Sequence, residues 1–193
     1  MIFLNLLLAH LLGDFVFQPH KLIAWKFKSW KGMVLHAFIH FVANLVVFVV
    51  FLRDVRVWFV LAGIAVLHFI VDYFKILKEK KGKHFLAYFF IDQAVHIAII
   101  LAATAILMSF GLVWTPMILG TVNAEMFLWI GINMLIILTS VLEIVIFQMH
   151  RVKDRTILFL PNYKAMIQRA VIFSLVYVLF LVLAVYHAAA LGV

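Results

Sequence analysis

The sequence predicts an all-α integral membrane protein with six transmembrane helices, and three observations carry that expectation. Of its 193 residues, 68% are hydrophobic and only 12% charged, with a mean hydropathy of +1.20. Soluble domains run at about 45 to 50% apolar and about 25% charged. So few polar groups do not cover the surface of a water-soluble, nucleic-acid-binding or disordered chain, and lipid is the expected solvent. The apolar stretches, interrupted by only three prolines and eight glycines, show no strand-like alternation, so helices rather than barrel strands are the expected spanning elements. The basic residues, finally, concentrate in alternate connections.

The expected spans cover residues 1–17, 33–52, 57–76, 85–110, 126–147 and 170–191. Each approaches the ~20 residues that cross a hydrocarbon layer. The first has no basic residue ahead of it and is expected to be a retained span rather than a cleaved signal. Residues 1–110 are read as a four-helix bundle carrying a polar site, and 111–193 as two additional helices of the same membrane domain. The first connection holds Lys21, Lys26, Lys28 and Lys31; the third Lys75, Lys78, Lys80, Lys81 and Lys83; the fifth Arg151, Lys153, Arg155, Lys164 and Arg169. These are fourteen of the sixteen basic residues. The bias places these connections in the cytoplasm and both termini outside it, with anionic headgroups as the lysines' expected neighbours.

Four spans carry ionisable pairs four residues apart: His10 with Asp14, His36 with His40, His68 with Asp72, and Asp92 with His96. Residues i and i+4 share a helix face, so each pair projects two side chains toward one place. A mid-membrane aspartate costs about 2.5 to 3.5 kcal/mol on an insertion scale, so three of them require compensation. At ~1.5 Å per residue all eight side chains lie about 5 to 20 Å from the basic ends of their helices, in overlapping slabs. One cluster is the expectation. The motifs also repeat, with offsets of 58 and 56 residues, in the order expected for a parallel duplication of a two-helix unit.

Histidine and aspartate without cysteine suit zinc, manganese or iron. Paired ligands from several helices can enclose two ions, and an open position on such an ion lowers the pKa of bound water toward neutrality. The expected cofactor is therefore one or two divalent ions, zinc first, held by His10, Asp14, His36, His40, His68, Asp72, Asp92 and His96. Gln18, Asn44 and Lys75 are read as supporting these ligands or lining the substrate. Gln93 and Glu143 are the candidate catalytic groups, and Glu143 alternatively pairs with a basic loop residue.

The remaining polar residues have plainer readings. Asn133 and Ser140 suit helix packing; His20, His84, His150 and His187 suit the interface. Leu160, Pro161, Asn162, Tyr163 and Lys164 read as a turn, and Trp25, Trp30, Trp58, Trp114 and Trp129 as belt residues.

The set of His10, Asp14, Phe15 and Gln18, the second-helix histidines, then His68, Asp72, Tyr73 and Lys75, and Asp92, Gln93 and His96 resembles a family of uncharacterised bacterial multi-pass membrane proteins. The resemblance covers about the first 100 residues, implies a bacterial inner membrane, and supplies no activity. More loosely, the pattern is similar to membrane-bound metal-dependent hydrolases.

The function expected from these readings is a metal-dependent hydrolase acting on a lipid or lipid-linked substrate near the cytoplasmic face. A divalent-cation or proton transporter and a metal-stapled structural or regulatory protein are the alternatives. Membrane lipids are the expected partners, nucleic acid is not, and self-association is left open.

Overall fold

The computed structural model describes residues 1–81, 84–114, 122–153 and 161–190. Lys83, Arg155 and Leu160 lie outside the described residues, as do the side chains of Lys81, Lys153 and His187. The described residues form helices α1 (Ile2–Leu11), α2 (His20–Lys28), α3 (Trp30–Val47), α4 (Val55–Lys81), α5 (Phe85–Ser109), α6 (Val122–Ile136), α7 (Leu142–Lys153) and α8 (Tyr163–Ala190), and no strand among them. The protein is an all-α membrane protein. Among the described residues, five helical stretches are long and apolar enough to cross a bilayer, and the bent pair formed by α1 and α2 makes a sixth when counted as one span.

That bent pair departs most from the sequence reading. α1 runs into a π-helical turn over Leu12–Val16, and the chain then turns by 87° into α2. Pro19 stands at the N-cap of α2 with extended backbone, φ −67° and ψ 158°, where its missing N–H costs no helix bond. The segment expected as a basic loop is thus a nine-residue helix whose Leu22 and Lys26, four apart, face inward. Ser29 then starts α3 by accepting a hydrogen bond from the Lys31 amide at 3.2 Å. Two close approaches make this corner glycine-dependent. A Cβ on Gly13 would lie 2.5–2.7 Å from the His40 imidazole, and one on Gly32 would lie 2.7 Å from the Lys26 backbone nitrogen.

Because lipid is as apolar as leucine, burying leucine does not by itself drive helices together; packing and polar convergence do. At the end of the bundle away from the basic connections, Ile2, Leu6, Phe48, Val57, Leu61, Ile64, Ile100, Ala103 and Leu107 form one packed cluster. Asn133 of α6 donates to the Leu4 carbonyl at 3.1 Å and so ties α6 to α1. α8 begins at Tyr163, seven residues before the expected span, because the Asn162 side chain caps it by accepting from the Ala165 amide at 3.1 Å. Trp25, Trp30 and Trp58 are exposed as belt residues are, but Trp114 is buried and donates to Glu125.

Candidate functional site

Each motif stripe faces inward because the two residues lie one helical turn apart. His10, Asp14, His36, His40, His68, Asp72, Asp92 and His96 are all buried, none more than 9% exposed. The π-helical turn inserts an extra residue at the end of α1, and Asp14 sits within it; such turns re-aim side chains at functional positions. Gly13 beside it gives the His40 ring the space it occupies.

Three imidazole nitrogens converge on one oxygen. Asp14 Oδ1 lies 2.9 Å from His36 Nε2, 3.1 Å from His40 Nε2 and 3.5 Å from His68 Nε2. His10 Nε2 approaches the other oxygen of Asp14 at 3.5 Å. The histidine rings are stacked and crossed at short range, His40 to His68 at 3.6 Å between centroids and His68 to His96 at 4.2 Å.

One proton on each ring accounts for the closest of these contacts. His36 Nε2 stands 2.9 Å from Asp14 Oδ1, which accepts, 3.0 Å from the Gln18 amide nitrogen, which donates, and 3.0 Å from His68 Nε2. A ring nitrogen carries either one proton or one in-plane lone pair; with the proton on Nε2 facing Asp14, the Gln18 amide donates to His36 Nδ1 at 3.1 Å. The same spacing suits a cation. Ligands about 2.0 Å from a tetrahedral ion are about 3.3 Å from each other; the imidazole nitrogens lie 2.9 to 3.5 Å from Asp14 Oδ1, and the ligand-capable groups as a whole lie within 4.8 Å.

Among the described residues the ligand-capable atoms fall into three overlapping groups: His10, Asp14, His40 and His68; His36, His68 and Asp72; and Asp72, Asp92 and His96, each within 4.8 Å. In the third, His96 Nε2 and Asp92 Oδ1 come within 3.3 Å, yet neither has a hydrogen-bond partner among the described residues. His10, His40, His68 and His96 also line a cavity with room for about one water molecule, together with Asn44 and apolar residues including Leu6 and Ile100. The Asn44 amide donates to the His40 carbonyl at 2.9 Å, while its Oδ1 is buried with no hydrogen-bond partner.

Gln93 bridges two motifs, 3.3 Å from His10 Nε2 and donating to Asp92 Oδ2 at 3.0 Å. Lys75 donates to the same Asp92 oxygen at 2.7 Å. Gln18 reaches His36. Glu143 has a different environment: it accepts from Arg169 at 2.6 Å and from the Asn162 amide at 2.8 Å, and it belongs to none of the three ligand groups. Of the options read for it from sequence, the ion pair with a basic loop residue is the one the geometry displays.

The sequence reading missed Lys26, which pairs with Asp72 deep in the cluster. Its signal was the inward face it shares with Leu22, legible only if residues 20–28 are read as a helix. Glu79 was also missed. It is buried, one turn beyond Lys75, and 3.6 Å from Arg151.

Fold and site together define a helical membrane protein with a buried histidine–aspartate centre assembled from α1, α3, α4 and α5. The chain belongs to the DUF3307 family, described as a protein of unknown function, whose model matches residues 2–123 and so takes in every one of these histidines and aspartates. No curated protein and no solved structure matches it.

Proposed function

We propose that the chain is a membrane-embedded, metal-dependent hydrolase acting on a lipid or lipid-linked substrate at the basic, cytoplasmic end of the bundle. The cofactor is a divalent ion, zinc first, with manganese or iron as alternatives. The membrane is a bacterial inner membrane, with both termini outside the cytoplasm as the charge bias requires. The observation that carries this reading is the burial of His10, His40 and His68 around Asp14, with imidazole nitrogens 2.9 to 3.5 Å from one carboxylate oxygen and a ligand-capable atom of each residue within 4.8 Å of the others.

His10, Asp14, His40 and His68 form the primary ligand group, since no lysine occupies it. When bound, the ion supplies Lewis acidity and a water activated at neutral pH. Gln93 orients His10, and Asn44, whose carbonyl oxygen has no hydrogen-bond partner among the described residues, lines the cavity beside the histidines. Hydrolysis then adds the hydroxyl of water to the substrate's acyl or phosphoryl group and its proton to the leaving oxygen. The packed cluster of Leu6, Leu61, Ile64, Ile100 and Leu107 fills the other end of the bundle, which favours access from one side over a transport path.

The test combines metal content with activity. Purified protein is expected to hold a divalent ion and to cleave a lipid ester or phosphate, with cleavage abolished by chelation and by Asp72→Ala. Uptake of the ion into liposomes by the protein, without lipid cleavage, would overturn the reading.

A further inference from the structure

Two lysines stand within the polar centre, and holding a metal ion gives them no task. Lys21, Lys28 and Lys31 are exposed on the same corner of the molecule, as headgroup-facing lysines are. Lys26 instead points inward with a side chain 9% exposed and pairs with Asp72. Its placement is built into the fold: the 87° turn swings α2 across the end of the bundle, and Gly32 lets α2 touch α3 at the Lys26 backbone itself. Lys75 arrives from α4 and holds Asp92. Lysine stems are long enough to reach the headgroups, so holding one ammonium buried and a second only 22% exposed against carboxylates calls for a reason beyond solubility.

Charge provides one. Asp14, Asp72 and Asp92 against Lys26 and Lys75 leave one negative charge in excess, while Glu79 just beyond is offset by Arg151. Histidines that ligate a metal are neutral. One divalent ion therefore turns the excess into one positive charge, enclosed where dielectric screening is weak. A neutral substrate leaves that charge to be met by ionisation of a bound water alone; an anionic one cancels it directly. The lysines are also rightly placed, on Asp72 and Asp92, the two carboxylates that share a ligand group with His96. An ammonium has three donors, so each can keep its carboxylate and still donate to a further oxygen.

We propose that the ion-loaded centre binds a phosphoryl group, held between the metal group and the ammoniums of Lys26 and Lys75. This deepens the hydrolase reading by naming its substrate class, a phosphate ester, and it rests on that reading's metal ion.

The experiment uses the full chain in a non-ionic detergent. Zinc content is measured first, and inorganic phosphate, dihexanoyl phosphatidic acid and neutral dihexanoyl glycerol are then titrated by calorimetry. Both phosphate probes are expected to bind the zinc-loaded protein, and the neutral lipid is not. Lys26→Gln and Lys75→Gln are each expected to weaken phosphate binding at least tenfold with zinc retained, whereas Lys75→Arg stays within threefold of wild type. Tighter binding of phosphatidic acid than of phosphate assigns a lipid headgroup as the source; equal binding assigns free phosphate. Should a glutamine variant misfold, the wild type still decides, because phosphate must raise its thermal midpoint only when zinc is present. Zinc-loaded protein that ignores both phosphate probes, or binds them equally well without the lysines, overturns the inference. Wild type that holds no zinc removes the metal reading and this inference with it, and the zinc measurement identifies that failure separately.

Discussion

Across the most apolar windows of α3 and α4, a third of the residues are buried, and across that of α8, none is, although all three windows are hydrophobic enough to span a bilayer. The difference lies in what the polar residues do. In α1, α3, α4 and α5 they point inward and meet at one level, so four helices share a centre. In α7 and α8 the principal ionic contact is Glu143 with Arg169, which fastens the two helices near their connection and leaves the apolar faces of α8 to lipid. Apolar content buys entry into the bilayer; the inward placement of hydrogen-bonding groups decides which helices pack, because hydrocarbon rewards leucine equally inside and outside a bundle.

The sharpest way to break this contrast is to remove its centre. Asp14→Ala deletes the oxygen on which His36, His40 and His68 converge. It is expected to lower metal content from about one ion per chain to none and to abolish hydrolysis. Zinc at 100 times its dissociation constant should stabilise wild type by about 2.7 kcal/mol, and thermal denaturation of the mutant should show no such gain.

Gly13→Ala tests the same centre more gently. The added methyl would sit 2.5–2.7 Å from the His40 ring, which must move or force α1 outward. Displacing one ligand should reduce metal affinity about 10- to 100-fold, the range found when supporting groups of a metal site are disturbed. Competition with a calibrated chelator would measure it, and an unchanged affinity would mean that His40 is no ligand.

Much of this centre was legible because its grammar is helical. A spacing of four residues fixes a common face, and rise per residue fixes depth, so the four pairs could be brought to one level before any packing was known. What escaped depends on departures from regular geometry. The π-helical turn that carries Asp14 and the 87° bend after it have no periodic signature, and Lys26 was hidden because its helix, nine residues long and basic, reads as a loop. Glu143 was ambiguous for a different reason: depth alone does not distinguish a carboxylate facing a metal group from one facing Arg169 on the next helix.

That second region yields a contrasting prediction. Glu143→Gln weakens the contact to Arg169 and removes no member of a ligand group. Metal content is expected to stay at the wild-type value, while the α7–α8 junction loses about 1 kcal/mol, discounted because the Arg169 side chain is 23% exposed. Denaturation in mixed micelles reads the loss, and metal analysis of the same sample reads the retention. Loss of the ion from this variant would erase the distinction between the two halves.

The smallest effect belongs to Asp54, at the entrance to α4 and outside the span. Its carboxylate accepts from the Arg56 amide at 2.9 Å and from the Arg56 guanidinium at 2.7 Å, and these contacts hold its carboxyl below the ordinary value of 3.8. A carboxylate depressed in the folded state contributes its stability above the unfolded pKa and loses it as pH falls through the lower, folded one. The Asp54 side chain is 28% exposed, so solvent screens the pair and the consequence is a weak acid-side slope confined to pH values below about 4. Asp54→Asn should remove that slope and leave the midpoint at pH 7 nearly unchanged, because asparagine also caps a helix. Metal content should not respond at all. A capping contact at the rim shapes one helix start, whereas Asp14 is shared by three histidines from two other helices, and metal content and thermal midpoint of the two variants measured side by side would separate these scales.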